Sequence, residues 1–135
     1  MAMGGDALGL LYFGAIKFAG YTAMAAVLRR HYPGSTAASW RVGLVRTLIG
    51  LVAGMGVMLL AEPLQVIPAS IGFYVLLLPV RLGEWLLLLE RFYERPEWRW
   101  KRAFGWASIG YVWSCLLDVP ALAALFLLPG GIWIC

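Results

Sequence analysis

Five ionisable residues lie within long apolar stretches of the sequence, where a charge is costly. They are Lys17, Arg46, Arg81, Glu84 and Asp118. An ionisable side chain near the centre of a bilayer costs about 2.5–3.5 kcal/mol even on the mildest insertion scale. Side chains of this kind therefore face one another rather than lipid, and they commonly mark binding sites or relay paths. We predict a binding or relay role for all five residues.

Counting inward from the outer end of each apolar stretch sorts the charges into two layers. Lys17, Arg81 and Asp118 lie roughly 15 Å deep at 1.5 Å per residue, while Glu84 and Arg46 lie roughly one turn further in. Each layer contains opposite charges. We therefore expect Asp118 to pair with Lys17 or Arg81, and Glu84 to pair with Arg46 or Arg81. Three cations face two carboxylates, so an anionic ligand, a lipid headgroup, a partner's carboxylate or a neutral lysine would balance the remaining charge.

Polar residues and prolines accompany the charges at helical spacing. An interior proline removes one helical hydrogen bond and frees the carbonyl four residues earlier, which needs a donor when it lies in hydrocarbon. The freed carbonyls would be those of Val75 and Leu116, and the two midplane cations are the predicted donors. The supporting residues of the predicted site are Tyr21, Thr47, Pro79, Ser114 and Pro120.

The elements that carry these residues are four apolar stretches, at about 7–28, 42–61, 70–89 and 103–128. Each is close to or above the roughly 20 residues that a helix needs to cross a bilayer. They lack the alternation of a barrel strand. Hydrophobic residues make up 62% of the chain and charged residues 13%, which is unlike a soluble domain. The sequence predicts an all-α integral membrane protein, a single transmembrane domain over residues 1–135 folded as an antiparallel four-helix bundle.

The connections between the stretches set the expected orientation. Basic residues concentrate in loops 29–41 and 90–102, whereas the loop at 62–69 and both termini contain no lysine or arginine. Because basic loops stay on the cytoplasmic side, we predict that loops 29–41 and 90–102 are cytoplasmic and that both termini lie outside. The expected location is a bacterial-type inner, or plasma, membrane.

Other chemistry finds less support in the sequence. His31 is the only histidine, and the cysteines at 115 and 135 are far apart and lack a CxxC arrangement, so we expect no metal and no cofactor. No nucleotide-binding glycine motif is present. Aromatic residues alternate with basic ones in loop 90–102, which is typical of an interfacial belt rather than of nucleic-acid binding.

Three functional classes remain open. The leading interpretation is a transport or channel-like protein for a small polar or anionic solute or a lipid headgroup, since midplane charges beside proline-broken helices are typical of transporter sites. The second is an accessory subunit of a larger membrane complex. The third and least favoured is an intramembrane enzyme on a lipid-linked substrate, with Asp118 or Glu84 as general acid or base. The alternative to a binding site is a structural ion-pair network that fixes helix register and topology and binds no ligand. The spacing Gly50-x-x-x-Gly54 suits close helix contact, and we expect a homo-oligomer or a larger complex.

Overall fold

The described part of the chain is entirely helical apart from its turns and short connections. The computed structural model describes residues 3–61, 63–64, 71–93 and 99–127. Four helices occupy these ranges: α1 is Met3–His31, α2 is Ser39–Ala61, α3 is Ile71–Phe92 and α4 is Trp100–Leu127. The prediction of an all-α fold is confirmed for these residues. The helices begin earlier or end later than several of the predicted stretches, because polar residues at a membrane interface can extend a helix beyond its apolar part.

Three of the helices are long and apolar enough to cross a membrane, namely Leu11–His31, Ser39–Val57 and Ile71–Phe92. This supports a membrane protein. The outward faces of α2 and α4 also suit a membrane, because large apolar side chains are exposed along them. α4 remains a predicted fourth span. These exposed residues include Leu48, Val52, Met55, Ile109, Val112 and Leu116. A hydrocarbon solvent would remove the cost of exposing them to water.

The helices pack in the cyclic order α1, α2, α3, α4. Each helix contacts its two neighbours in this order, and within the described residues the diagonal pairs make no backbone contact. Two apolar clusters fill the interior at different levels. The larger contains Leu28, Val42, Trp85 and Leu88. The smaller consists of Val57, Phe73 and Leu77. The charged residues occupy the level between these two clusters.

Close approach between α1 and α2 depends on a glycine other than the predicted pair. A Cβ atom at Gly43 would lie 2.9 Å from the backbone nitrogen of Thr22, so only glycine allows the two backbones to come this near. Gly50 and Gly54 instead line a cavity between the helices. A contact of Gly50 and Gly54 with another chain stays a prediction. The spacing could not distinguish a contact face from a cavity wall, because both require small side chains.

The first and third connections meet at one end of the helices. The Ser35 hydroxyl donates to the carbonyl of Phe92 at 2.9 Å, and an Arg102 guanidinium N–H donates to the carbonyl of His31. These carbonyls lie at the last residues of α3 and α1, where a helix leaves its acceptors unsatisfied. The Arg102 guanidinium also lies 4.0 Å from the centre of the Tyr32 ring. Ser35 of the first connection therefore caps the end of α3, and Arg102 of the first turn of α4 caps the end of α1.

Candidate functional site: a buried charged cluster

Asp118 accepts two cations at once. Lys17 contacts its Oδ1 atom, and Arg81 Nη1 lies 2.8 Å from its Oδ2 atom. All three residues are at most 5% exposed although they come from three different helices. The pairing predicted for the first layer is confirmed, and it includes both possible partners rather than one. The carboxylate is therefore shared between two positive charges.

The second layer is a single ion pair between α2 and α3. Arg46 Nη1 lies 2.7 Å from Glu84 Oε2. Arg46 is 1% exposed, so its charge is almost completely removed from the surrounding solvent. The predicted pairing of Glu84 with Arg46 is confirmed. Removing either partner would leave a buried charge without compensation, which is strongly destabilising.

Ser114 joins the two layers. Its hydroxyl accepts a hydrogen bond from Trp85 Nε1 at 3.1 Å and a longer one from Arg46 Nη2 at 3.5 Å, and it donates to the carbonyl of Gly110 at 2.9 Å. Its own carbonyl accepts from Lys17 Nζ at 3.4 Å. A hydroxyl has one proton and two acceptor positions, so all are used here. The sequence placed Ser114 among the supporting residues, and the structure places it at the centre of the cluster.

Aromatic rings surround the Arg46 guanidinium. Its central carbon lies 4.8 Å from the centre of the Tyr21 ring and 5.1 Å from that of the Trp85 ring. Lys17 Nζ lies 5.3 Å from the centre of the Phe13 ring and 5.8 Å from that of Tyr21. Rings at these distances stabilise desolvated cations through their electron-rich faces. Lys17 and Arg46 therefore face aromatic rings as well as carboxylates.

Trp85 is a site residue that was placed on the Arg81 face from the sequence but was not among the predicted binding or supporting residues. It shares the α3 face with Arg81, four residues earlier, and follows Glu84 directly. That position was a usable signal, since a tryptophan beside a buried ion pair has both a ring face and an N–H to offer. Its placement also needs α4 to come close, because a Cβ atom at Gly110 would collide with the indole ring. The dependence on a glycine in another helix was not readable from the sequence.

A small cavity lies beside the cluster, between α1, α2 and α3. All three cations of the cluster, together with Glu84, line it, whereas Asp118 does not. Its remaining wall is largely small or apolar, and it includes Tyr21, Thr47, Gly50, Ala53, Gly54 and Leu77. The charged part of the wall thus carries three positive side chains and one negative one. This excess favours an anion as the occupant.

Two nitrogen atoms of Arg46 have no hydrogen-bond acceptor among the described residues. They are Nε and Nη1. Nη1 is close enough to Glu84 for an ion pair, but the orientation is not that of a hydrogen bond. A buried donor without an acceptor costs about 1–3 kcal/mol, more when it is charged. The guanidinium therefore has donors to offer a ligand in the cavity that it lines.

The remaining predicted supporting residues have simpler positions. Thr47 lines the cavity and donates to the carbonyl of Gly43 at 2.8 Å. Pro79 is exposed and Pro120 is half-buried, both inside continuous helices and neither in the cavity wall. Within the described residues the midplane cations do not donate to the carbonyls that these prolines free. That prediction is wrong, because Lys17 and Arg81 point inward to Asp118.

The ends of α1 and α3 carry a further buried polar contact outside the charged cluster. Tyr93 follows α3 directly, and its hydroxyl donates to the carbonyl of Ala25 at 3.1 Å. Burial raises the pKa of Tyr93 to about 12, although the positive charge of Arg29 acts in the opposite direction.

Over the described residues no group of three histidine, cysteine or acidic side chains is placed to hold a metal ion.

Comparison of the chain with protein-family models, with curated proteins and with solved structures found no match. Function must therefore be inferred from the chemistry of the charged cluster and its cavity.

Proposed function

We propose that this membrane protein binds an anionic solute, or the anionic headgroup of a lipid, at the charged cluster and transports it across the bilayer. The observation that carries the proposal is the cavity whose wall contains Lys17, Arg46 and Arg81 but only one carboxylate, that of Glu84. The cations are already desolvated, so a bound anion would meet them without a large reorganisation cost.

The packing around the cluster favours a carrier over an open channel. The larger apolar cluster separates the charges from the end where the first and third connections meet. An ion would need a wet path through that region, and buried apolar side chains such as Leu28 and Leu88 close it. Alternate opening of the two ends around a fixed midplane site satisfies this requirement. The charges of Arg46 and Glu84 would then complete the path towards the cytoplasm.

The proposed topology is an antiparallel bundle with four spans, both termini outside, and loops 29–41 and 90–102 on the cytoplasmic side of an inner membrane. The contacts of Ser35 with the end of α3 and of Arg102 with the end of α1 support the proposal that these two loops lie on one side. Accessibility labelling tests it in a background with Cys115 and Cys135 replaced by serine. We expect Leu64→Cys to react with an impermeant reagent added outside and Thr36→Cys to be protected. The reverse pattern would exclude this orientation.

Flux measurement in reconstituted vesicles tests the transport role. Wild type should move at least one small anion faster than empty vesicles do, and Lys17→Met should lower that flux by about tenfold or more, as expected for loss of a charged interaction of about 1.4 kcal/mol or more. Lys101→Met is the matched control, because Lys101 is exposed at the start of α4. Its flux should equal that of wild type.

Identical flux for wild type and Lys17→Met, for every small anion and for protons, would reject transport. The protein would then be better understood as an accessory subunit whose charges fix helix packing within a larger membrane complex.

Mass measurement in native-like lipid tests the expected assembly. We expect a homo-oligomer or a complex, and a monomer would count against that part of the proposal.

A further inference from the structure

The buried cluster does not balance its own charge. It contains Lys17, Arg46 and Arg81 against Glu84 and Asp118, which leaves a formal excess of one positive charge. Each of the five residues is at most 8% exposed. A buried charge without a partner is strongly disfavoured in a protein interior. One negative charge from outside the cluster would neutralise it.

The excess charge is directed at the cavity. Asp118 is shared by Lys17 and Arg81 but is not part of the cavity wall. Its negative charge therefore lies outside the residues that face the cavity. The cavity side holds their positive charge together with Arg46, whose Nε and Nη1 atoms lack hydrogen-bond acceptors. The excess positive charge and the side chain that lacks acceptors therefore both belong to residues of the cavity wall. The Thr47 hydroxyl lies on the same wall.

We propose that the cavity binds one monovalent oxyanion, such as a carboxylate, nitrate or a phosphodiester, with Arg46 as its main hydrogen-bond donor. This rests on the proposed anion site and specifies its charge and chemistry. One negative charge brings the cluster to neutrality, whereas a divalent anion would leave an uncompensated negative charge in the same low-dielectric region. Several oxygen atoms on one ligand can accept from separate N–H groups, which a halide ion cannot do with comparable directionality. The phosphodiester can belong to a free solute or to a lipid headgroup.

Thermal unfolding of the detergent-solubilised wild type measures this selectivity. Formate, nitrate, dimethyl phosphate, chloride and sulfate are titrated at matched ionic strength in a zwitterionic buffer, and vesicle-derived phosphatidylglycerol is added in a parallel series. The three monovalent oxyanions should raise the unfolding midpoint in a saturable manner that fits one site, with chloride and sulfate at least about tenfold weaker. Equal effects of all salts, or preference for sulfate, would overturn the proposal.

The source of the anion follows from the same series. Stabilisation by formate or dimethyl phosphate assigns the site to free solutes. Stabilisation by phosphatidylglycerol alone assigns it to the headgroup of a lipid that enters from the bilayer. Both results keep the monovalent oxyanion, whereas no stabilisation by any of these probes excludes it.

A tethered carboxylate provides an independent test. A Cβ atom at Gly50 would lie 3.1 Å from Arg46 Nη1, so the side chain of Gly50→Asp would begin beside the unsatisfied donors. This variant should be more stable than wild type without added anion, and its midpoint should no longer respond to formate. Gly50→Asn is the matched control, with nearly the same volume and no charge, and it should not show this gain in stability. Identical behaviour of the two variants would overturn the charge argument.

The two proposals fail in different ways. Saturable binding without vesicle flux would leave the oxyanion site standing and reject transport. Flux that continues unchanged in Gly50→Asp, or that shows no preference for monovalent oxyanions, would leave transport standing and reject this site. If Gly50→Asp does not fold, the wild-type titration decides alone, because it needs no substitution.

Discussion

Replacing Asp118 by asparagine removes the only carboxylate that Lys17 and Arg81 contact within the described residues. The cluster excess then rises from one positive charge to two, while the volume of the side chain hardly changes. Breaking a buried ion pair by removing one partner typically costs about 3–5 kcal/mol. Since two cations lose the same partner here, we expect a value at the upper end of that range. Reversible unfolding in mixed micelles, followed by helical circular dichroism, measures the free energy of unfolding.

The matched control is Glu90→Gln, an exposed carboxylate near the end of α3. It should change the free energy of unfolding by less than about 1 kcal/mol, as exposed charges do. A double variant separates charge from shape. Adding Lys17→Met to Asp118→Asn restores an excess of one positive charge, so part of the lost stability should return, as a coupling of about 0.5–3 kcal/mol. If Asp118→Asn and Glu90→Gln have equal effects, the buried ion pairs do not stabilise the fold and the reasoning fails.

Three further substitutions test the surroundings of the cluster. Ser114→Ala should lower the free energy of unfolding by about 1–3 kcal/mol, because it leaves the buried indole N–H of Trp85 without its acceptor. The control Ser108→Ala removes a hydroxyl that bonds to its own helix at 2.8 Å, and it should cost less than about 0.5 kcal/mol. Equal losses of unfolding free energy would contradict the bridging role of Ser114. Gly43→Ala should lower the unfolding midpoint by forcing α1 and α2 apart, while Gly83→Ala, where a methyl group meets no atom within 4 Å, should leave it unchanged or raise it. The pKa of Tyr93 is raised from 10.0 to about 12, so its contribution to stability is complete below pH 10 and is lost as the pH rises towards 12. Tyr93→Phe should therefore reduce the loss of unfolding free energy over this pH range. An unchanged pH profile would show that the buried phenol is not responsible.

Much of the charged cluster could be predicted from the sequence, because depth in a helix is simply a count of residues. The partners of Asp118 and Glu84 follow from their levels once four helices are assumed. What the count could not supply is rotation about each helix axis. The two ring faces around Arg46, from Tyr21 and Trp85, depend on such rotations and on side-chain conformations fixed only by packing.

Other differences from expectation have the same origin. The spacing of Gly50 and Gly54 suits a helix contact, yet a cavity also needs small residues on its wall. The donors expected at the freed proline carbonyls were close in depth but face inward, where Asp118 attracts them more strongly. The cavity itself has no signature in a single sequence, since it consists of the space that three helices leave between them.

The order of the cluster along the chain has a consequence for how the protein is made. During synthesis Lys17, Arg46, Glu84 and Arg81 all emerge before Asp118, the last of the five to be added. A nascent chain that has completed only the first three helices therefore contains three of these cations and one of these carboxylates, an excess of two positive charges in its apolar segments. Such an intermediate is poorly suited to leave the aqueous environment of the insertion machinery for lipid. Arrival of α4 halves that excess and also delivers the Arg102 cap to the end of α1. The fourth helix thus supplies the carboxylate that the cations of the first three helices lack.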